Sequence, residues 1–127
     1  MAMKEKTLIN CMLLIVSVWT RLHLLVARFN YPPWVSCENS EYKDGSDFQH
    51  NLNQVLESLV ENVSTSGLFN TIIEGQNNNS TVYGLVQCRG DLNSSDCKGS
   101  ASTASKILLE RCHKTSGLIQ VESCFLR

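Results

Sequence analysis

Six cysteines in 127 residues, five of them between positions 37 and 124, constrain this chain more than any other feature. In a reducing cytosol such cysteines stay free or bind metal, whereas in an oxidising compartment they cross-link the chain. The N-terminus points to the second case. Met1 to Lys6 carries two lysines, and Thr7 to Trp19 follows as an apolar run with Leu8, Ile9, Met12, Leu13, Leu14, Ile15, Val16 and Val18. A short basic stretch followed by an apolar one is the pattern of an export signal. A membrane-spanning helix needs roughly 20 uninterrupted apolar residues, and Arg21 and His23 break this run after about 13. We therefore expect residues 1–27 to be a signal peptide. Ala27 is the small residue at its end, while Leu25 stands where a small residue is preferred, so retention as a signal-anchor is the alternative. After cleavage no stable membrane span remains, and Cys11 leaves with the leader.

The remaining chain, about 100 residues, suits one domain. Its expected span is 31–127. At 43% apolar and 18% charged residues the chain is not of the disordered type. From Arg28 onward it holds 8 Lys/Arg against 11 Asp/Glu, a net −3, with the cations scattered singly. A nucleic-acid surface needs clustered cations, so no nucleic-acid partner is expected. Asn62, Asn78, Asn79 and Asn93 each open an Asn-x-Ser/Thr acceptor, the glycosylation pattern of surface loops in secreted chains.

The segment around Pro32-Pro33 should be extended, because the residue before each proline is pushed out of the helical region. From Phe48 the apolar positions 48, 52, 55, 56, 59, 60 and 63 form a helical stripe, with Ser46 or Asp47 as cap. This predicts a helix over about 47–63, ended by Gly67. Leu68–Glu74 and Thr81–Cys88 are strand-like runs joined by a Gly/Asn loop, which reads as a hairpin with Asn77, Asn78 and Asn79 in a solvated turn. Asn93 to Asp96 supplies capping side chains for a second helix over about 95–111. Gly117 should end a short turn before closing strands at Leu118–Val121 and Ser123–Leu126. This order predicts an α+β fold with two helices packed on one face of a roughly five-stranded antiparallel sheet, disulfide-stapled.

Cys37, Cys88, Cys97, Cys112 and Cys124 are an odd set, so one lacks an internal partner, and spacing alone does not choose it. Residues Cys88 to Ser100, reading C-R-G-D-L-N-S-S-D-C-K-G-S, resemble the C-x8-C-x2-C signature of the plant cysteine-rich secretory repeat, or ginkbilobin-homologous, family. The likeness extends over Tyr31 to Arg127. It includes the cysteine before an amphipathic helix, Tyr83-Gly84 ahead of Cys88, and Cys112 followed by Cys124-Phe-Leu-Arg. The resemblance implies disulfides Cys37–Cys112 and Cys88–Cys97. It also implies a third, from the last cysteine of the signature to the final one, but Ser100 occupies the former place, which leaves Cys124 unpaired. Cys124 is then either buried as a small hydrophobe or the link of a dimer. Losing that cross-link removes a few kcal/mol from a domain that commonly has 5 to 15.

The resemblance further implies a secreted, apoplastic binding domain in plant defence or stress response, antifungal in type, with a carbohydrate or a cell-surface receptor ectodomain as partner. In the family mannose is held by an Asn after the first cysteine, an Arg six residues before the last, and a Glu five residues after it. Here Glu38 and Leu118 occupy the first two places and the chain ends at Arg127, so mannose binding is not expected. Tandem copies form receptor and plasmodesmal ectodomains in the family, and one copy without a kinase or C-terminal anchor is expected here. The alternatives are an interaction module for a cysteine-rich receptor-like kinase ectodomain and an inactive truncated member. No enzyme, cofactor or metal is expected. Only Cys112 and His113 are neighbouring metal-type ligands, His50 lies on the first helix, and no nucleophile motif occurs. Arg89-Gly90-Asp91 reads as an ordinary turn rather than an adhesion signal.

Overall fold

The computed structural model describes residues 2–26, 31–63 and 66–127. The chain divides into two units, Met1–Tyr31 and Pro32–Arg127. The first contains α1 (Ala2–Val26), whose apolar side chains, Leu8, Leu13 and Trp19 among them, are exposed. Among the described residues no helix is long and apolar enough to cross a membrane. Ala27, the expected cleavage position, lies outside the described residues.

In the second unit the amphipathic stripe forms α2 (Asp47–Asn62). Ser46 caps it by accepting a hydrogen bond from the Gln49 N–H at 3.3 Å, and the Gln49 side chain accepts in return from the Gly45 N–H at 2.7 Å. Its inward face buries Val55, Leu56 and Leu59, with Leu59 fully enclosed. Full burial of such a side chain stabilises by about 1.5–3 kcal/mol. The second helix of the domain, α3 (Ser94–Arg111), is capped by Asn93, which accepts from the Asp96 N–H at 2.8 Å. It turns a narrow stripe of small residues inward, Ala101, Ala104 and Ser105, ending at Leu108.

Both helices cover one face of a five-stranded sheet ordered β1-β4-β5-β3-β2. Its strands are β1 (Trp34–Glu41), β2 (Leu68–Ile73), β3 (Val82–Cys88), β4 (Lys114–Gln120) and β5 (Cys124–Leu126). Every pairing is antiparallel. The expected fold class holds. Side chains alternate across the sheet, so Val35, Phe69, Val86, Ile119 and Leu126 join the helices in one core.

One local expectation is corrected. Gly117 does not end a turn: β4 begins at Lys114, and Gly117 lies within it opposite Cys37. A Cβ there would come 3.0 Å from the Cys112 Sγ and 3.1 Å from the Leu108 Cδ1, so the glycine marks a close approach of helix and strand. β1 continues to Glu41 through a bulge between Glu38 and Glu41, with Asn39 at φ 68°, a left-handed conformation that asparagine tolerates. In the β2–β3 loop the Asn77 carboxamide accepts from the N–H groups of Asn79 and Ser80 at 3.0 and 3.1 Å. The Ser80 carbonyl in turn accepts from Asn51 of α2 at 2.8 Å, fastening the loop to the helix.

Candidate interaction surface

The sulfur atoms lie on the helix-covered side. Cys37 on β1 is bonded to Cys112 at the end of α3, a separation of 75 residues, and Cys88 at the end of β3 is bonded to Cys97 in the first turn of α3, a separation of 9. Cys124 is a free thiol facing Cys88 across the β3–β5 ladder, and it is only 3% exposed. The sulfurs of Cys88, Cys97 and Cys124 lie within 4.8 Å of one another. Two of them are spent in a disulfide, so the trio is not a metal site. Burial pushes the Cys124 thiol up, and a hydrogen bond with Ser100 pulls it partly back. Such a thiol is protonated at neutral pH and behaves as a small hydrophobe. With the domain folded it has no route to a second chain.

The other candidate residues are dispersed. Asn62 ends α2, Asn78 and Asn79 sit in the β2–β3 loop, and Asn93 caps α3, all four exposed. Arg89 and Asp91 pair with each other through two contacts, at 2.5 and 3.1 Å, which occupies both charged ends of the tripeptide. His113 contacts Asp44 at 3.3 Å, and the His50 ring contacts Gln54 at 3.0 Å. Among the described residues neither histidine bonds a serine or a thiol, so no nucleophile–base pair is assembled.

The two positions carried over from the sugar site do come together. Glu38 pairs with Ser116 and Leu118 with Ser36, on adjacent strands and the same side of the sheet. Within this unit, no described helix covers that side. Alternation also places Trp34, Leu85, Phe125, Tyr83, Ile72 and Leu68 there. Trp34 is 58% and Tyr83 73% exposed, while Leu85, Leu118 and Phe125 are half-buried by their neighbours. Leu118 offers a hydroxyl-rich ligand neither donor nor acceptor, while the surrounding rings and branched chains offer dry contact area. The sequence contained a signal for this face that a search for polar sites passes over. In 68–73 and 82–88 apolar residues stand at both odd and even positions, whereas a strand open to water on one side shows polar residues at alternate places.

Comparison with known proteins agrees with this architecture. The model of the salt stress response/antifungal family matches residues 36–127. Cysteine-rich repeat secretory protein 55 of Arabidopsis thaliana is 35% identical over 96 residues, covering 74% of this chain and 36% of the relative. Plasmodesmata-located protein 6 of the same plant is 37% identical over 95 residues, covering 72% and 33%. The chain thus spans about a third of the length of these relatives. Among solved structures, the tandem DUF26 ectodomain of the Arabidopsis cysteine-rich receptor-like protein PDLP5 superposes with a TM-score of 0.69 at 30% identity, covering 74% of this chain and 47% of that one. The equivalent ectodomain of PDLP8 gives the same score and identity. A family match running from the first strand to the last residue, with relatives sharing a third of their residues, establishes that this chain belongs to the salt stress response/antifungal (DUF26) family of cysteine-rich secretory proteins.

Proposed function

We propose that this chain is a secreted protein-binding module of plant defence or stress response, which docks through its helix-free sheet face onto a related receptor-type ectodomain and does not take mannose. The observation that carries this reading is the exposed apolar surface around Trp34, Tyr83 and Phe125 on a sheet whose other face is already covered. Exposed rings and branched chains gathered on one uncovered sheet face, with Gln87, Gln120 and Ser36 between them as polar contacts, favour a protein-binding site. The PDLP5 and PDLP8 ectodomains hold this domain in tandem, which gives a related domain as the natural occupant. Against a sugar site stand Leu118 and Glu38. The basic–apolar leader over 1–27, the two cross-links and the acceptors Asn62, Asn78, Asn79 and Asn93 support an apoplastic location, with any glycans at loop and helix ends clear of the sheet face.

Surface plasmon resonance against the immobilised PDLP5 tandem ectodomain tests the docking. Saturable binding is expected, reduced about tenfold or more by Trp34→Ser with Phe125→Ser. Equal binding by the folded double variant overturns the face, and no binding overturns the partner. Calorimetric titration with mannose should give no binding heat, and micromolar affinity would overturn that part of the reading.

A further inference from the structure

Three sulfur atoms meet where α3 begins against β3 and β5, and the cross-link among them uses two. The Sγ atoms of Cys88, Cys97 and Cys124 lie within 4.8 Å of one another, all three side chains are buried, and the Cys124 thiol is free. The ladder fixes how Cys124 meets Cys88. Leu85 and Arg127 exchange both of their backbone hydrogen bonds, at 2.7 and 2.9 Å, and Arg89 donates to the Ser123 carbonyl at 2.8 Å. Hydrogen-bonded and non-hydrogen-bonded pairs alternate along an antiparallel ladder. Cys88 and Cys124, opposite each other between those points, therefore form a non-hydrogen-bonded pair. The Cys88 N–H turns the other way, to the Gly67 carbonyl at 2.6 Å. Residues at such a pair have Cα atoms about 4.5 Å apart and side chains on one face, a separation that a disulfide spans. Cys124 is thus placed to bond Cys88 without any movement of the strands.

We propose that Cys88 has two alternative partners, Cys97 and Cys124, and that the domain exchanges one cross-link for the other with no external oxidant or reductant. The Cys124 thiolate attacks the Cys88 Sγ, a sulfur–sulfur bond forms between them, and the bond from Cys88 to Cys97 breaks. The electron pair of that bond leaves on the Cys97 sulfur, which takes up a proton in place of the one Cys124 gave to solvent. One disulfide and one thiol stand on each side of the exchange. The leaving group favours attack at Cys88 rather than at Cys97. The Cys97 N–H bonds the Asn93 carbonyl at 3.0 Å, in the first turn of α3, where a helix N-terminus favours negative charge. Around the trio the charged side chains, Asp96 and Lys98 of α3, Arg89 after β3 and Glu122 between β4 and β5, are exposed. Burial keeps the attacking thiol protonated at neutral pH, so the exchange is slow there and quickens as pH rises. The two forms differ in what is tied. In one, α3 is pinned to the end of β3; in the other, β3 is clamped to β5 and the first turn of α3 is released.

The test uses the full chain carrying Cys11→Ser, which removes the other free thiol. Samples held between pH 8 and pH 9 are quenched in acid, unfolded, labelled with N-ethylmaleimide and mapped by mass spectrometry. Labelled Cys97 and a Cys88–Cys124 cross-link should appear together in equal amounts. Their rate should rise about tenfold per pH unit, with the thiolate fraction, and should not depend on protein concentration. Amide exchange over residues 94–97 should quicken in the same samples. Cys97→Ser in this background, refolded with oxidised glutathione, should keep no free thiol and carry the Cys88–Cys124 bond. Four results overturn the proposal: label confined to Cys124 after a day at pH 9, a Cys97–Cys124 bond in place of Cys88–Cys124, a rate that scales with protein concentration, or two free thiols in folded Cys97→Ser.

Discussion

Replacing Ser100 by cysteine should give the domain a third cross-link. Ser100 sits on the first turns of α3, half-buried, and its hydroxyl lowers the pKa of the buried Cys124 thiol, so a sulfur placed there is expected to reach Cys124. The new bond closes a loop of about 25 residues, which on the loop-entropy relation stabilises by roughly 3.5 kcal/mol. The lost hydroxyl–thiol hydrogen bond deducts about 0.5 kcal/mol. With an unfolding entropy near 2.1 cal/mol/K per residue, a net gain of about 3 kcal/mol over about 96 residues raises the melting temperature by roughly 15 °C. Differential scanning calorimetry of wild type and Ser100→Cys, each with and without reductant, measures the gain. Thiol titration after unfolding counts the sulfurs, and the leader-free variant should show none free where wild type shows one. A variant that keeps two free thiols after oxidation, or that forms the bond and melts no higher than wild type, refutes the placement of Ser100 against Cys124.

Gly84 lies on β3 under α2, where a Cβ would collide with the Val55 Cγ1 and stand 2.9 Å from the Leu59 Cδ1. Gly84→Ala should therefore cost about 1–3 kcal/mol by urea unfolding, the usual cost of overpacking. The Cys124 thiol is held up by burial and lowered by Ser100, so in the folded domain it should resist thiol reagents at pH 8 and react at once in denaturant. Because its folded pKa lies above the unfolded value, the associated stability is present at neutral pH and is lost as pH rises through the folded value. Ser100→Ala should move that loss to still higher pH. Arg89 holds the Asp91 carboxyl below the ordinary carboxylate range, chiefly by hydrogen bonding, so Arg89→Ala should return it upward in an NMR titration. That pair is fully exposed, so the melting temperature should not move. Non-reducing electrophoresis of the folded domain should show a monomer, since the unpaired thiol is enclosed.

The helices were legible because each carries its own signal. The stripe from Phe48 to Val63 needs only the helical period, and Ser46 and Asn93 cap where local hydrogen bonding requires. The hairpin was legible for the same reason, being two adjacent β-rich runs with an Asn77 turn between them. Residues 88–100 likewise carried the family likeness, and Ser100 marked the missing cross-link. These are properties of contiguous residues, and a linear chain displays them. Gly117 misled because its role is set by Leu108 and Cys112, which reach it only after α3 folds back on β4. The outer face was legible only in part, as apolar residues at both odd and even positions of 68–73 and 82–88. Trp34, Tyr83 and Phe125 come to one side of one sheet only through the order β1-β4-β5-β3-β2. Sequence by itself determined which segments coil and extend, since those preferences act between near neighbours, while the pairing of Cys37 with Cys112, 75 residues apart, was legible only through the family likeness. Tertiary structure alone decided which strands stand side by side and which residues share a face, because strand pairing joins residues far apart along the chain.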